Sequence, residues 1–182
     1  MSRMTKINRV WAMPSRHTFT IAPISELIFR YSNGVKWVDP FAGWYSPAEF
    51  KNDLNPEAPV DSHLDAEEFL RKFSTIEGLL FDPPYSPRQI SECYKSIGIN
   101  VGMKETQNAT LYSRVKDAAA QRIVSGGLAI CCGWNSSGMG KSRGFDLLEI
   151  LMVAHGGAHN DTIVTVERRL DDLFLVKTAP QY

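Results

Sequence analysis

Cysteine is scarce in this 182-residue chain: Cys93, Cys131 and Cys132 are the whole supply. They have neither the spacing of a metal site nor the pattern of a secreted disulfide framework, which points to a reducing compartment, the cytoplasm. The histidines do no better as ligands. His63 has no partner at ligand spacing, and His155 and His159 sit on an expected turn without acidic or thiol partners, so no metal is expected. Long apolar runs are missing, and none follows the basic N-terminus, so neither a membrane span nor a signal peptide is expected. Net charge is missing too. Twenty Lys and Arg balance 20 Asp and Glu, with a pI near 6.9. A dedicated nucleic-acid binder is usually more basic, so a DNA partner requires the charge to be segregated. The run Gly138-Met139-Gly140-Lys141-Ser142 lacks the four-residue gap of a phosphate loop. Repeats, low-complexity tracts and linkers are absent, so residues 1–182 read as one domain, large enough to bury a core without staples.

The charge is in fact segregated. Arg3, Lys6, Arg9 and Arg16 precede the first acidic residue, Glu26, in a basic N-terminal arm that either meets phosphates or is a solvated tail. Residues 25–31 read as a short amphipathic helix stopped at Asn33-Gly34, and 35–39 as a strand. Residues 66–73 read as a helix capped by Asp65, with Glu67 and Glu68 in its first turn. Proline in the first turn opens another over 86–96, residues 98–109 form a polar loop, and 111–124 a longer helix stopped by Ser125-Gly126-Gly127. Residues 128–134 are a buried strand of the parallel type, with the adjacent Cys131 and Cys132 as core packing. Residues 135–144 are a flexible basic loop, whose Lys141 and Arg143 either meet nucleic-acid phosphates or are merely solvated. Two β-rich runs, 145–154 and 162–167, make a terminal hairpin, and 168–182 a closing tail.

The organising stretch is Gly78-Leu79-Leu80-Phe81-Asp82-Pro83-Pro84-Tyr85. Three apolar residues ended by two prolines read as a buried strand that stops abruptly. Neither proline has an N–H for a ladder, and Pro84 holds Pro83 extended. The product is a stiff loop at a strand's carboxyl end, where open α/β sheets place their ligands.

Asp82-Pro83-Pro84-Tyr85 resembles the catalytic motif of the S-adenosylmethionine-dependent DNA amino-methyltransferases, which methylate exocyclic amines of adenine or cytosine. The resemblance implies that Asp82 and the Pro83 carbonyl accept the target amine's two N–H bonds. The amine's lone pair is then freed for attack, an electrostatic stabilisation by preorganised acceptors. Tyr85 would stack on the extruded base. Asp39-Pro40-Phe41-Ala42-Gly43 resembles the same family's cofactor loop, and residues 18–24 its cover segment, with Phe19 as an aromatic lining. Phe19 reads equally as core and Gly43 as a turn glycine. Asp53 falls where the family places a ribose acceptor, and also where an Asx turn precedes Pro56. Asp65 falls where the family binds the cofactor's adenine amine, and is also the helix cap. Between Gly43 and Asp53 there is no room for the usual helix, so the cofactor half is shortened.

The resemblance implies a Rossmann-like α/β fold, a mostly parallel sheet with a terminal antiparallel hairpin. Residues 1–24 would be arm and cover segment, 35–74 the cofactor half, and 78–167 the catalytic loop, acceptor-side strands and hairpin. The activity implied is methyl transfer from S-adenosylmethionine to adenine N6 in double- or single-stranded DNA. The Asp form of the motif favours adenine, since cytosine enzymes more often carry Ser there and glutamine-directed enzymes Asn. The alternatives are a cytosine-N4, RNA or protein methyltransferase, or an inactive subunit of the same fold. No inserted recognition region is visible, so specificity would be short or relaxed, or borrowed from a second copy or a partner. Arg9, Arg16, Lys141 and Arg143 are the expected nucleic-acid contacts.

Overall fold

A strand that is apolar on both faces must be covered on both, and the runs 79–81 and 128–132 are of that kind. The structure, a computed structural model, describes residues 4–84 and 108–171. In chain order the elements are β1 (Lys6–Trp11), α1 (Ala22–Tyr31), β2 (Trp37–Asp39), β3 (Phe50–Lys51), α2 (Ala66–Arg71), β4 (Ile76–Phe81), α3 (Asn108–Ala120), β5 (Ile123–Gly133), β6 (Phe145–Ala154) and β7 (Thr162–Arg169). Single 3₁₀ turns occupy Thr18–Thr20 and Lys141–Arg143. The strands form one sheet in the order β1-β6-β7-β5-β4-β2-β3. Neighbours are parallel except around β7, which runs antiparallel to both β5 and β6. The terminal hairpin and the mostly parallel sheet are therefore as expected.

The period of two along each strand divides the core. Trp37, Leu80, Ile130 and Cys132 face α1 with Ile24, Leu27 and Ile28. Val38, Leu79, Ala129 and Cys131 face α2 and α3 with Phe69, Leu70, Val115 and Ala119. The adjacent cysteines thus enter opposite cores. Burial pushes the Cys131 thiol up to about 12 and raises Cys132 as well. Both are packing residues.

Three expectations need correction. The N-terminal arm is not an arm: residues 6–11 form β1, parallel to β6 from Lys6↔Glu149 to Trp11↔Ala154. Its alternation is masked because it is an edge strand, with Ile7, Arg9 and Trp11 exposed while Val10 packs on the core. Buried Glu149 secures it. Asn8 Nδ2 and Arg30 Nη2 donate to Oε1 (3.0 and 2.9 Å), and Arg30 Nη1 and the Tyr31 hydroxyl to Oε2 (3.2 and 3.0 Å). Second, the long helix ends at Ala120, and Gly126-Gly127 is not a stop. β5 begins at Ile123, and because Ile76 pairs with Ile123 while Gly78 pairs with Leu128, residues 124–127 bulge from the ladder. Third, α1 starts three residues earlier than expected, with Pro23 in its first turn.

The cofactor half is short. No helix joins β2 to β3, β3 has two residues, and beyond it lies a single bridge, Asn52↔Ser62. Tyr85, the helix expected over 86–96, residues 98–107 of the loop expected over 98–109 and the tail after 171 lie outside the described residues, while residues 108 and 109 of that loop belong to α3.

Candidate active site

β2, β3 and β4 are parallel neighbours, so their carboxyl ends meet at one edge of the sheet. Asp39 ends β2, Asp53 follows β3 and Asp82 follows β4. Asp39 is fully buried. Its Oδ1 accepts the Phe41 N–H (2.9 Å) and its Oδ2 the Ser46 hydroxyl (2.5 Å). Burial, reinforced by the charges of Asp82 and Asp53, pushes its pKa up to about 7 against the opposing pull of those two hydrogen bonds. The three carboxylates therefore share one neighbourhood. Among the described residues, however, no cluster of such groups is tight enough to hold a metal ion.

Gly43 turns the loop after β2 with φ +53°, and its N–H donates to Asp53 Oδ2 (2.9 Å). Asp53 Oδ1 accepts the Asn55 N–H (2.8 Å), the Asx turn anticipated before Pro56. Pro40 is buried, and the ring of Phe41 packs edge-on against Phe81 (5.4 Å between centroids) and Tyr112 (6.0 Å). Phe19 lies in the α1-side core. Asp65 caps α2, its Oδ1 accepting the N–H groups of Glu67 (2.9 Å) and Glu68 (3.4 Å).

Sequence reasoning passed over the residue that holds this half together. Asn52 is buried, and its amide donates to the carbonyls of Pro40 (3.2 Å) and Leu64 (2.9 Å). Its Oδ1 accepts the Leu64 N–H (2.9 Å) and the Ser62 hydroxyl (2.7 Å). The main chain adds Asn52 N–H to Asp39 O and Ala42 N–H to Asn52 O. One side chain thus ties the loop after β2 to the loop before α2. Asn beside a proline-terminated turn reads as turn chemistry, which hid it.

The stiff loop after β4 is clamped from α3. The Tyr112 hydroxyl donates to the Pro84 carbonyl (2.5 Å), and its ring meets Phe81 edge-on. Pro83 is buried, and Asp82 is half-buried. On the β5 side of this loop lies a cavity of about 490 Å³, bounded by Phe81, Pro83, Tyr112, Lys116, Trp134 and Arg143 among others. The carboxylate-rich loops and the cavity therefore flank Asp82-Pro83 on opposite sides.

The glycine-rich segment 135–144 is fastened rather than flexible. Glu167, buried on β7, accepts the N–H groups of Met139 (2.5 Å) and Gly140 (2.9 Å). Burial raises its pKa, against those two bonds and the charges of Lys116 and Arg143. Gly138 has φ +46° and presses on Glu167, where a Cβ would fall 2.0 Å from Oε2. Arg143 turns inward. Its Nε meets Asp117 (2.6 Å), Nη1 the Met139 carbonyl (3.0 Å) and Nη2 the Ser113 hydroxyl (2.8 Å). Lys141 stays exposed, as do Arg9 and Arg16, and the two arginines precede α1, on β1 and in the segment after it.

No protein-family model matches the chain, and no curated relative does. Among solved structures it is similar to TrmN from Thermus thermophilus, with 18% identity and a TM-score of 0.57 over 82% of this chain and 49% of that one. A methyltransferase homolog protein from Pyrococcus horikoshii matches at 10% identity and a TM-score of 0.43, over 92% of this chain and 62% of that one. The chain spans about half the length of TrmN. The likeness to TrmN together with the strand order shows the fold, which is a Rossmann-like methyltransferase fold.

Proposed function

We propose that this chain transfers a methyl group from S-adenosylmethionine to an exocyclic nucleobase amine, N6 of adenine in DNA. One observation carries the proposal. Asp82-Pro83 stands between a carboxylate-lined pair of loops on its β2–β3 side and a partly closed cavity on its β5 side. A group-transfer site needs donor and acceptor on either side of the reacting centre.

The donor side fits the cofactor in chemistry. Asp53 offers carboxylate oxygens to ribose hydroxyls, buried Asp39 acts on a cationic ligand through its charge rather than by contact, and the open backbone at Gly43 lets such a ligand come close. Bound there, S-adenosylmethionine supplies an electrophilic methyl group on a sulfonium. The Asp82 carboxylate and the Pro83 carbonyl accept the two N–H bonds of the target amine. That pulls the nitrogen toward tetrahedral geometry and frees its lone pair. The Tyr112 hydroxyl holds the next carbonyl, that of Pro84, and so steadies the loop that carries the Pro83 acceptor. Tyr85 follows directly and would stack on the base. The proton released after transfer passes to water, so no separate base is required.

The test is incubation of the purified chain with isotopically labelled S-adenosylmethionine and DNA, single- and double-stranded, with RNA in parallel. Mass analysis of the nucleosides should give N6-methyladenine from DNA. Label on cytosine, on RNA alone or on protein would overturn the assigned acceptor. A chain that does not bind the cofactor in isothermal titration would be an inactive subunit.

A further inference from the structure

The cavity beside Asp82-Pro83 is opposite in charge to the donor side. None of the described residues lining it is acidic, whereas Lys116 and Arg143 both contribute. Arg143 is already committed to Asp117, Ser113 and Met139. Lys116 is not committed in that way. Its ammonium has three donors, and one goes to the Gly138 carbonyl (2.5 Å) with the group 5.2 Å from the Phe81 ring centre. Glu167 lies close enough to feel that charge, but its oxygens hold the N–H groups of Met139 and Gly140. Lys116 is thus held in place at the cavity wall without a carboxylate in ion-pair contact among the described residues.

Flat, largely apolar ring surfaces stand in the wall beside the polar Ser113, Asn135 and Ser137. Pro83 and Tyr112 stand on the β4 side, and Trp134, 46% exposed, on the β5 side. A nucleobase stacks on such surfaces whatever its sequence, because every base has a π-face. At about 490 Å³ the space lies within the usual range for small-molecule sites, roughly 300–1,000 Å³. A neutral nucleoside would leave the Lys116 charge unanswered in a partly closed cavity. A phosphorylated one would answer it with charge-assisted hydrogen bonds.

We propose that this cavity is a nucleotide subsite, in which the ring wall of Trp134, Tyr112 and Pro83 takes a base and Lys116 takes its attached phosphate. The base's fate rests on the methyl-transfer reading above, while the phosphate preference does not. The acceptor is then a nucleotide, free or within a strand, and not a nucleoside.

The experiment is titration of the intact chain with adenosine, adenosine 5′-monophosphate, inorganic phosphate and a short single-stranded oligonucleotide. The monophosphate should bind at least about tenfold more tightly than adenosine, the effect of a hydrogen bond to a charged group. Tighter binding of the oligonucleotide would make a strand the source of the phosphate, and parity would make it the free nucleotide. Lys116→Gln should erase the preference for phosphate while leaving adenosine and cofactor affinities unchanged. Lys116→Arg should restore the preference, separating the charge from the tie to Gly138. Trp134→Ala should weaken all base-containing ligands, and Trp134→Phe should recover them. Equal binding of adenosine and its monophosphate by the native chain would overturn the subsite, as would a preference that survives Lys116→Gln. If no methyl reaches any nucleic acid yet the Lys116-dependent preference stands, the activity is wrong and the subsite right. If adenosine is methylated as readily as its monophosphate, the activity is right and the subsite wrong.

Discussion

The two sides of the catalytic loop are built from different materials. The β2–β3 side has almost no regular structure, and short side chains take over the work of a ladder. Asp39, Asn52, Asp53, Asn55, Asp61 and Asp65 each accept backbone N–H groups that a strand or helix would otherwise satisfy. The β5 side rests on long strands, and its loop is bolted down by long charged side chains, Lys116 and Glu167 from other elements and Arg143 from the loop itself. Where secondary structure is cut back, Asp and Asn serve as replacement backbone. Where it is ample, charge fixes one remaining loop. The first kind of scaffold should fail locally on loss of a single short side chain, the second by loosening.

The largest expected effect falls between the two sides. Asp82→Ala should lower the transfer rate by at least about 100- to 1,000-fold, the scale for losing one preorganised electrostatic partner. Cofactor affinity should stay within a few-fold, because the contact assigned to Asp82 is with the target amine and its charge acts unfavourably on the buried Asp39 carboxylate. Single-turnover kinetics with parallel titrations would show it. A variant that loses substrate affinity but keeps its rate would contradict the role given to Asp82.

Next is Asn52→Ala, the direct test of the replacement-backbone idea. It strips partners from Pro40, Ser62 and Leu64 around a buried residue, at a cost of about 3 kcal/mol for several unsatisfied groups. Urea melts would measure that loss. Cofactor binding should go with it, while the monophosphate should still bind across the catalytic loop. If both ligands are lost together, the halves are one unit and the comparison breaks.

How much of the molecule is legible in its sequence follows the same division. The positions of Asp39 and Asp82 follow from apolar runs that end at proline, a local signal. The mostly parallel sheet with its terminal hairpin follows from the resemblance that the motifs carry, whereas the order of its strands and the two-residue β3 have no local signal. β1 was illegible because on this edge strand the apolar Ile7 and Trp11 face solvent alongside Arg9, so the apolar positions do not mark a buried face. The inward aim of Arg143 depends on Asp117 and Ser113, which are 26 and 30 residues away in sequence. Lys116 and Tyr112 gain their places only when α3 docks beside the loop after β4. Partners brought by tertiary packing leave no local pattern.

Asp39 gives a pH test confined to the donor side. Its pKa rises from 3.8 to about 7 on folding, so the folded chain holds a proton that the unfolded chain releases. That contribution to stability is complete below the unfolded value and is lost as pH rises through about 7. Thermal melts from pH 4 to 8 should therefore show a decline that Asp39→Asn removes, since an amide keeps an acceptor for Phe41 and does not titrate. Cofactor affinity should move the other way, strengthening above that pH as the carboxylate ionises opposite a cationic ligand. An unchanged pH profile in Asp39→Asn would show that this carboxylate does not titrate there.

The smallest expected effect is the most discriminating, because Asp65 has two candidate roles and one of them is visible. Its Oδ1 accepts the Glu67 and Glu68 N–H groups at the start of α2, and Glu67 in turn meets Arg114 of α3 (2.7 Å). Losing an Asp cap typically costs about 1 kcal/mol. The same loss would free the first turn and relax the exposed Glu67–Arg114 contact, which is worth little in itself. Asp65→Ala should therefore lower the melting temperature by a few degrees. Asp65→Ser, which keeps a capping oxygen without the charge, should recover most of it. Cofactor affinity separates the roles. If it is unchanged in both variants, capping is the whole contribution of Asp65. If Asp65→Ser restores the melt but leaves the cofactor weakly bound, the carboxylate also reaches the ligand, and the replacement-backbone residues carry binding as well as fold.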